Sequence, residues 1–443
     1  MRPETWLDIQ AEHAPERTAL IAEGRAFSFS ELRDEVRGVA AGLQSAGVDS
    51  GSRVSVAFEP GLEYALLIHA LMLLGATLCP LDPRDPSARS GYDFVFEASN
   101  EVPRGASEAL SLVEFAPASP ICEITSSGTT GQSKQISLSP QNVFWSALGS
   151  AHALGVETDD RWLVCLPLFH VSGLMPIYRA LIHGTAVSVH PGFSTRAVAE
   201  EISSGTVTGI SLVPTTLIDL IESDPGVLRQ PRVVLVGGAA TPTALLEKAI
   251  SAEVPIAVTY GMTEACSQVT VLPPSEIAQS VGSAGRPLVT TRLRIDQGEI
   301  LVGGPTVSTG CLDSEGWYRT GDLGRIDSEG RLWIEGRIDE MVITGGENVF
   351  PSEIESVLVR HPDVREAVVW GADDARWQQE LRAAVVLTAG SKFDQPALLE
   401  WCAETLPPHK VPKRIEVIGE IPLGPTGKPA RHELTKRSSD DPR

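Results

Sequence analysis

An α/β fold is predicted, with a large N-terminal part made of doubly wound α/β subdomains and a small β-rich subdomain, followed by a small α+β unit. Three observations predict it. Strand and helix patterns alternate over Arg53 to Leu81 and again over Val207 to Gly261, short strands with glycine turns take over from Gly298, and the pattern changes once more after Asp339. The domains are accordingly placed at 1–338 and 339–443.

Taken in order, Ser28 to Glu31 has capping-box spacing before an apolar face of Leu32, Val36, Val39, Ala40 and Leu43, which predicts a helix stopping at Gly47. RVSVAF reads as a strand, Leu62 to Leu74 as a buried helix and TLCPL as the next strand, closed by Asp82-Pro83. ICEIT and QISLS alternate like strands on either side of Ser126 to Lys134, SSGTTGQSK, and a helix starts only at Ser139-Pro140. That glycine and hydroxyl loop therefore joins two strands. VTGISLV, PTTLIDLIES, RVVLVGG, the helix after Thr241-Pro242 and IAVTYG form a βαβαβ run, which puts Gly237 to Ala239 and Tyr260 to Glu264 at strand carboxyl ends, where such sheets bind ligands. GEILVGG, GWYRTGDLG and GRLWIEGR make the β-rich subdomain. The C-terminal unit has a helix from Ser352 to Arg360, strands at EAVVWG, LRAAVVL and IEVIGEI, and a helix around Leu398 to Leu406.

With 443 residues, 42% hydrophobic and 21% charged, the chain has material for large cores. A formal charge of -21 removes the basic surface that nucleic acid requires. Six cysteines without a CxxC pair argue against a disulfide framework and a zinc site, and fit a reducing cytoplasm. The acidic start MRPETWLDIQ is unlike a signal peptide, and Tyr64 to Leu74 is too short to span a bilayer.

Gly128 and Gly131 permit the backbone angles that turn N–H groups to one side, and the hydroxyls with Lys134 add donors, so the loop suits a polyphosphate; a flexible linker is the plain alternative. Glu264 suits magnesium or is a solvated loop acid. Tyr260 stacks on a base or simply packs. Asp322 in YRTGDLG reads as a turn acid that either accepts from ribose hydroxyls or shapes its own turn. Lys428, among Gly and Pro in GPTGKPAR, lies on a loop. His170, at the end of the apolar LPLFH stretch, orients a substrate or is a satisfied histidine at the edge of the core.

Together these stretches resemble the adenylate-forming acyl-CoA synthetases, in order and across nearly the whole chain. SSGTTGQSK is similar to that family's phosphate loop, GGA and YGMTE to its adenine and magnesium segments, YRTGDLGRIDSEGRLWIEGRIDEMVITGGENVFPSEIE to its ribose and hinge segments, and PTGKPAR to its terminal lysine motif. DRWLVCLPLFHVSGL, YGMTEACSQ and VGSAGRPL resemble the subgroup acting on o-succinylbenzoate in menaquinone synthesis.

The resemblance implies an ATP-dependent acid:CoA ligase that uses Mg2+ and has CoA as co-substrate, with a mobile C-terminal domain and a homodimeric habit. It implies that Ser127, Gly128, Thr129, Thr130, Gly131 and Lys134 hold the departing phosphates and that Glu264 holds magnesium. Gly238, Ala239, Tyr260, Gly261 and Thr263 would lie around adenine, Asp322 and Arg337 on ribose, and Lys428 on the α-phosphate and substrate oxygens. Asp339 would be the hinge, and Gly345-Gly346 would approach the pantetheine of CoA. His170 would gate or orient the acyl carboxylate. Ser172, Ser267 and Gln268 would meet a second, aryl carboxylate, with Arg179 more distant. Other readings are another acyl- or aryl-CoA ligase, a carrier-protein adenylating enzyme, and a non-catalytic nucleotide-binding protein. Where the family pattern has Pro and Gly beside the loop lysine, this chain has Ser133 and Gln135, which is expected to alter loop stiffness more than charge.

Overall fold

The computed structural model describes residues 4–107, 110, 119–126, 134–374, 376–422, 429–431 and 433–435. Among these, four sheets carry the fold. The nine-stranded sheet runs Arg286–Pro287, Ser267–Leu272, Ile256–Met262, Val233–Val236, Gly209–Leu212, Arg161–Val164, Ala186–Val189, Thr18–Ala22 and Arg25–Ser28. Its interior from Ile256–Met262 to Thr18–Ala22 is parallel, and both edges are closed by antiparallel hairpins. The five-stranded sheet has the order Phe94–Phe96, Arg53–Val56, Thr77–Pro80, Cys122–Ser126 and Lys134–Leu138.

The parallel strands read as continuous apolar runs because helices cover both faces. Val233–Val236 and Gly209–Leu212 are buried along their whole length. The helix Leu62–Leu74 is buried on every side except at Glu63, so its apolar residues show no period. Phe29–Ser45 is amphipathic instead, with Ser28 and Glu31 closing the expected capping box.

The β-rich subdomain is a four-stranded antiparallel sheet of Arg292–Asp296, Glu299–Gly303, Tyr318–Ile326 and Leu332–Arg337. The C-terminal unit pairs Val364–Asp374 with Gln378–Leu387, adds Val342–Thr344, Glu347–Val349 and Arg414–Val417, and packs Pro351–Leu358 and Gln395–Thr405 around its own core. The chain is thus an α/β protein with a large N-terminal domain of several sheets and a small C-terminal domain. Among the described residues, no helix is long and apolar enough to cross a membrane.

Two expectations need correction. Asp322 is not in a turn: it lies inside the strand Tyr318–Ile326, buried, opposite Arg337 in register. A carboxylate is tolerated there because a guanidinium faces it across the ladder. The strand expected to end at Gly261 continues to Met262 and turns back through Thr263–Ala265 into Ser267–Leu272.

Candidate active site

The expected phosphate loop spans a hairpin: Cys122–Ser126 and Lys134–Leu138 are antiparallel, with Ser126 opposite Lys134. Ser127, Gly128, Thr129, Thr130, Gly131 and Ser133 lie outside the described residues, as does Lys428. Lys134 is exposed, and its ammonium stands 3.9 Å from the Cys311 sulfur. Burial raises the Cys311 thiol above its usual range; Lys134 opposes that shift and Glu264 adds to it, so both charges lie close to the sulfur.

Glu264 sits in the turn Thr263–Ala265 and is half-buried. Its backbone carbonyl accepts a 2.8 Å hydrogen bond from the Ser308 N–H, and the Ser308 hydroxyl donates to the Ser137 carbonyl at 2.8 Å. The Thr309–Cys311 turn and the residues before it therefore join the phosphate hairpin to the metal candidate. The Tyr318 phenol lies beside the Glu264 carboxylate, and burial, followed by that carboxylate, pushes it well up.

Asp322 is the next link. Its Oδ2 accepts from the Tyr260 hydroxyl at 2.5 Å and its Oδ1 from Arg337 Nη1 at 2.9 Å. Arg337 also donates from Nε to Asp339 Oδ1 at 2.9 Å and from Nη2 to Asp339 Oδ2 at 3.3 Å. One guanidinium therefore joins the ribose candidate to the hinge candidate. Each oxygen of Asp322 keeps a second lone pair for a diol. Burial and the adjacent carboxylate raise Tyr260 far above the ordinary phenol range, so it stays a neutral donor and ring.

The hairpin bearing Tyr260 and Glu264 is tight. A Cβ on Gly261 would lie 1.9 Å from the Ser267 carbonyl oxygen, so only glycine lets the strands approach there. Cys266 and Ser267 follow at φ 55° and 98°, a run that non-glycine residues seldom adopt and that often marks a functional turn.

Behind this turn, the helix Val171–His183 begins with His170 as its N-cap and Ser172 in its first turn. His170 is half-buried, with Phe169 4.5 Å away ring to ring. Arg179 is 8% exposed, with Nε and Nη2 lacking a hydrogen-bond partner among the described residues. Burial lowers its pKa to about 10. Gln268 is 1% exposed, and both its amide atoms are likewise unpartnered. Arg179 acts on the Cys266 thiol, which burial raises to about 12, so its charge lies near the turn that leads into Ser267 and Gln268.

Gly238 and Ala239 follow the strand Val233–Val236, and Gly237 abuts Thr259 next to Tyr260. Gly345 and Gly346 turn between Val342–Thr344 and Glu347–Val349 in the small domain. The Gly345 N–H donates to the Trp377 carbonyl at 2.9 Å, and a Cβ on Gly345 would come within 3.0 Å of the Trp377 ring.

Sequence reasoning missed Cys311, Tyr318 and Trp377. Tyr318 was within reach of it: Tyr318, Thr320 and Asp322 share one face at a period of two. Cys311 gives no such signal.

The AMP-binding enzyme family matches residues 7–95 and 93–312, and the AMP-binding enzyme C-terminal domain matches residues 353–428. The chain belongs to the AMP-binding enzyme family. It is therefore a member of the AMP-forming acyl-CoA ligases. The chain is similar to the 2-succinylbenzoate–CoA ligase of Bacillus licheniformis, 34% identical over 97% of this chain and 98% of that one. Its structure is similar to the o-succinylbenzoate CoA synthetase of Bacillus subtilis in complex with the acyl-adenylate intermediate, with a TM-score of 0.91 at 32% identity over 99% and 98% of the two chains. A double mutant of that synthetase bound with its product analogue gives a TM-score of 0.73 at 33% identity over 98% of both chains. Identity and coverage are alike, so this AMP-binding enzyme is closer in arrangement to the acyl-adenylate complex.

Proposed function

We propose that the protein ligates o-succinylbenzoate to CoA at the cost of ATP, for menaquinone synthesis. The observation that carries this reading is the buried Arg179, two of whose nitrogens have no hydrogen-bond partner among the described residues, on a helix packed against the strand that holds Gln268, whose buried amide is likewise unpartnered there. A buried cation without a carboxylate is costly, and an acid bearing a second carboxylate would offset that cost. An acid with one carboxylate would be consumed by the chemistry and leave nothing for Arg179.

In the first step an oxygen of the aliphatic carboxylate attacks the α-phosphorus of ATP, and the bond to pyrophosphate breaks. We assign Lys134 and the loop Ser127, Gly128, Thr129, Thr130 and Gly131 to the departing phosphates, and Lys428 to the α-phosphate. Asp322 and Arg337 hold the ribose, while Tyr260, Gly261, Thr263, Gly238 and Ala239 surround adenine. His170 orients the reacting carboxylate, and Ser172 and Ser267 line the acid site with Gln268. Fixed cations and donors of this kind stabilise the charge that gathers on the phosphoryl oxygens. The Glu264 carboxylate, beside Tyr318, is a hard oxygen donor that fits magnesium, which when bound would neutralise phosphate charge.

In the second step the CoA sulfur, its thiol proton lost, attacks the acyl carbon, and AMP leaves with the electron pair of the broken C–O bond. We place the domain boundary at 338/339 and the hinge at Asp339, and assign Gly345 and Gly346 to the pantetheine. Trp377 is 39% exposed, with Arg376 5.0 Å and Lys413 5.7 Å from its ring centroid. An indole edged by cations suits the phosphorylated nucleotide end of CoA.

The test is thioester formation with ATP and CoA from o-succinylbenzoate, benzoate and a medium-chain acid. The expected result is thioester and stoichiometric pyrophosphate with o-succinylbenzoate, in preference to the others. Thioester from another acid, with none from o-succinylbenzoate, would overturn the substrate while leaving the ligase intact.

A further inference from the structure

The strand leaving the phosphate loop is held by side chains that have no part in the chemistry described above. Successive strand residues point to opposite faces, so Lys134 reaches Cys311 and Gln135 faces away from it. On that far side Gln135 Oε1 accepts from Arg53 Nη2 at 2.8 Å, and Gln135 Nε2 donates to the Tyr92 hydroxyl at 3.1 Å. Because Arg53 can only donate, the amide has one orientation that satisfies it. The Arg53 guanidinium lies 5.0 Å from the centre of the Tyr92 ring.

Arg53 is itself fixed. Its Nε donates to Glu123 Oε2 at 2.9 Å, its Nη1 to the Gly91 carbonyl at 2.8 Å, and its backbone N–H to Asp93 Oδ2 at 2.7 Å. Glu123 lies on the strand leading into the phosphate loop and Gln135 on the strand leading out of it. A single guanidinium thus ties both strands of the hairpin to the neighbouring strand Arg53–Val56 and to the turn at residues 91–93.

We infer that Gln135 is a positioning residue for the ATP-dependent step: through Arg53 and Tyr92 it fixes the start of the strand that presents Lys134 to the departing phosphates. Tethering an exposed strand end removes conformations in which the lysine points elsewhere, and binding then loses less entropy. A glycine at 135 would have no side chain to tie. The inference rests on reading the hairpin as the phosphate site, and it applies to the β- and γ-phosphates alone. AMP lacks both.

The experiment is calorimetric binding of MgATP and of AMP to the full chain, for the wild type, Gln135→Gly, Gln135→Glu and Tyr92→Phe. The decisive quantity is the ratio of the two dissociation constants, because any loss of folded protein affects both and cancels. Gln135→Gly is expected to weaken MgATP by about 3- to 10-fold, the worth of one or two solvent-accessible hydrogen bonds, with AMP unchanged. Tyr92→Phe is expected to lie between it and wild type. Gln135→Glu, which keeps an acceptor for Arg53, should restore most of the ratio. A ratio within about 1.5-fold of wild type in Gln135→Gly would overturn the inference. Wild-type protein that binds AMP and MgATP equally well would instead overturn the phosphate-site reading, and the inference with it.

Discussion

In the proposed reading, Arg179 is the residue on which the choice of acid turns. It is buried on the helix Val171–His183, which packs against the strand Ser267–Leu272, and no carboxylate is hydrogen-bonded to it among the described residues. An enzyme for monocarboxylic acids would gain from an apolar side chain there, whereas one for a dicarboxylate gains a charge-assisted contact in a low-dielectric site. Arg179→Leu is therefore expected to lower kcat/KM for o-succinylbenzoate by about 10²- to 10³-fold, the usual consequence of removing one member of a buried charge pair. The same variant should leave ATP–pyrophosphate exchange with benzoate unchanged or raised. Initial rates of exchange with both acids check this. Equal losses with both would place Arg179 in the scaffold and not in the acid site.

At the scale of elements, the parallel sheet divides stability from chemistry. Its strand carboxyl ends lead to the site, while its opposite end is held by Asp160. That buried carboxylate accepts from Arg232 Nε at 2.9 Å and Nη2 at 2.5 Å, from the Thr208 hydroxyl at 2.7 Å and from the Glu157 N–H at 2.9 Å. It thereby ties the starts of Arg161–Val164, Gly209–Leu212 and Val233–Val236. Burial acts to raise its pKa, but the hydrogen bonds, led by Arg232, win and hold it below the usual value. The stabilisation is therefore fully present above the unfolded carboxyl value of about 4 and is lost as pH falls through the lower folded value. Asp160→Asn should cost roughly 2–3 kcal/mol at neutral pH, less than a fully enclosed pair because Arg232 retains some contact with water. The gap in thermal midpoint between wild type and variant should narrow from pH 6 to pH 3, with MgATP affinity unaffected at neutral pH. A gap that persists at pH 3 would show that the carboxylate's charge is not what stabilises.

The elements legible in the sequence were those whose causes are local. The Ser28 capping box, the apolar helix Leu62–Leu74 and the two strands flanking the phosphate loop each carry their signal within a few residues. What escaped depends on distant chain. Thr18–Ala22 joins the large sheet through Ala186–Val189, and nothing within either stretch specifies the other. Asp322 read as a turn acid because its partner Arg337 is visible only once the ladder is formed. Gln135 read as a loss of stiffness because its tie to Arg53 crosses 82 residues of sequence. Arg179 ranked behind Ser172, Ser267 and Gln268 because its burial and its influence on Cys266 appear only once the chain is folded.

For the whole molecule, the proposed two-step reaction with a hinge at Asp339 would have the small domain take two orientations, and contacts between the domains would then set the balance between them. In the present arrangement Arg365 Nη2 lies 2.8 Å from Asp219 Oδ1 and 3.5 Å from Glu222 Oε2, both on the helix Pro214–Ser223 of the large domain. Arg360 Nη2 reaches the Thr243 hydroxyl at 3.3 Å nearby. These pairs are partly solvated, so each contributes about 0.2–1 kcal/mol and is screened by salt. That is small beside the stability of either domain, but enough to shift a balanced two-state equilibrium by about 2- to 5-fold. Arg365→Ala is expected to slow ATP–pyrophosphate exchange by that factor. Thioester formation from supplied acyl adenylate and CoA should be maintained or faster if, as proposed, it uses a second orientation that lacks these contacts. Raising the salt concentration should move wild type toward the variant. Single-turnover rates for each half-reaction read this directly, and an equal slowing of both would mean that Arg365 supports the small domain itself and does not hold it against the large one.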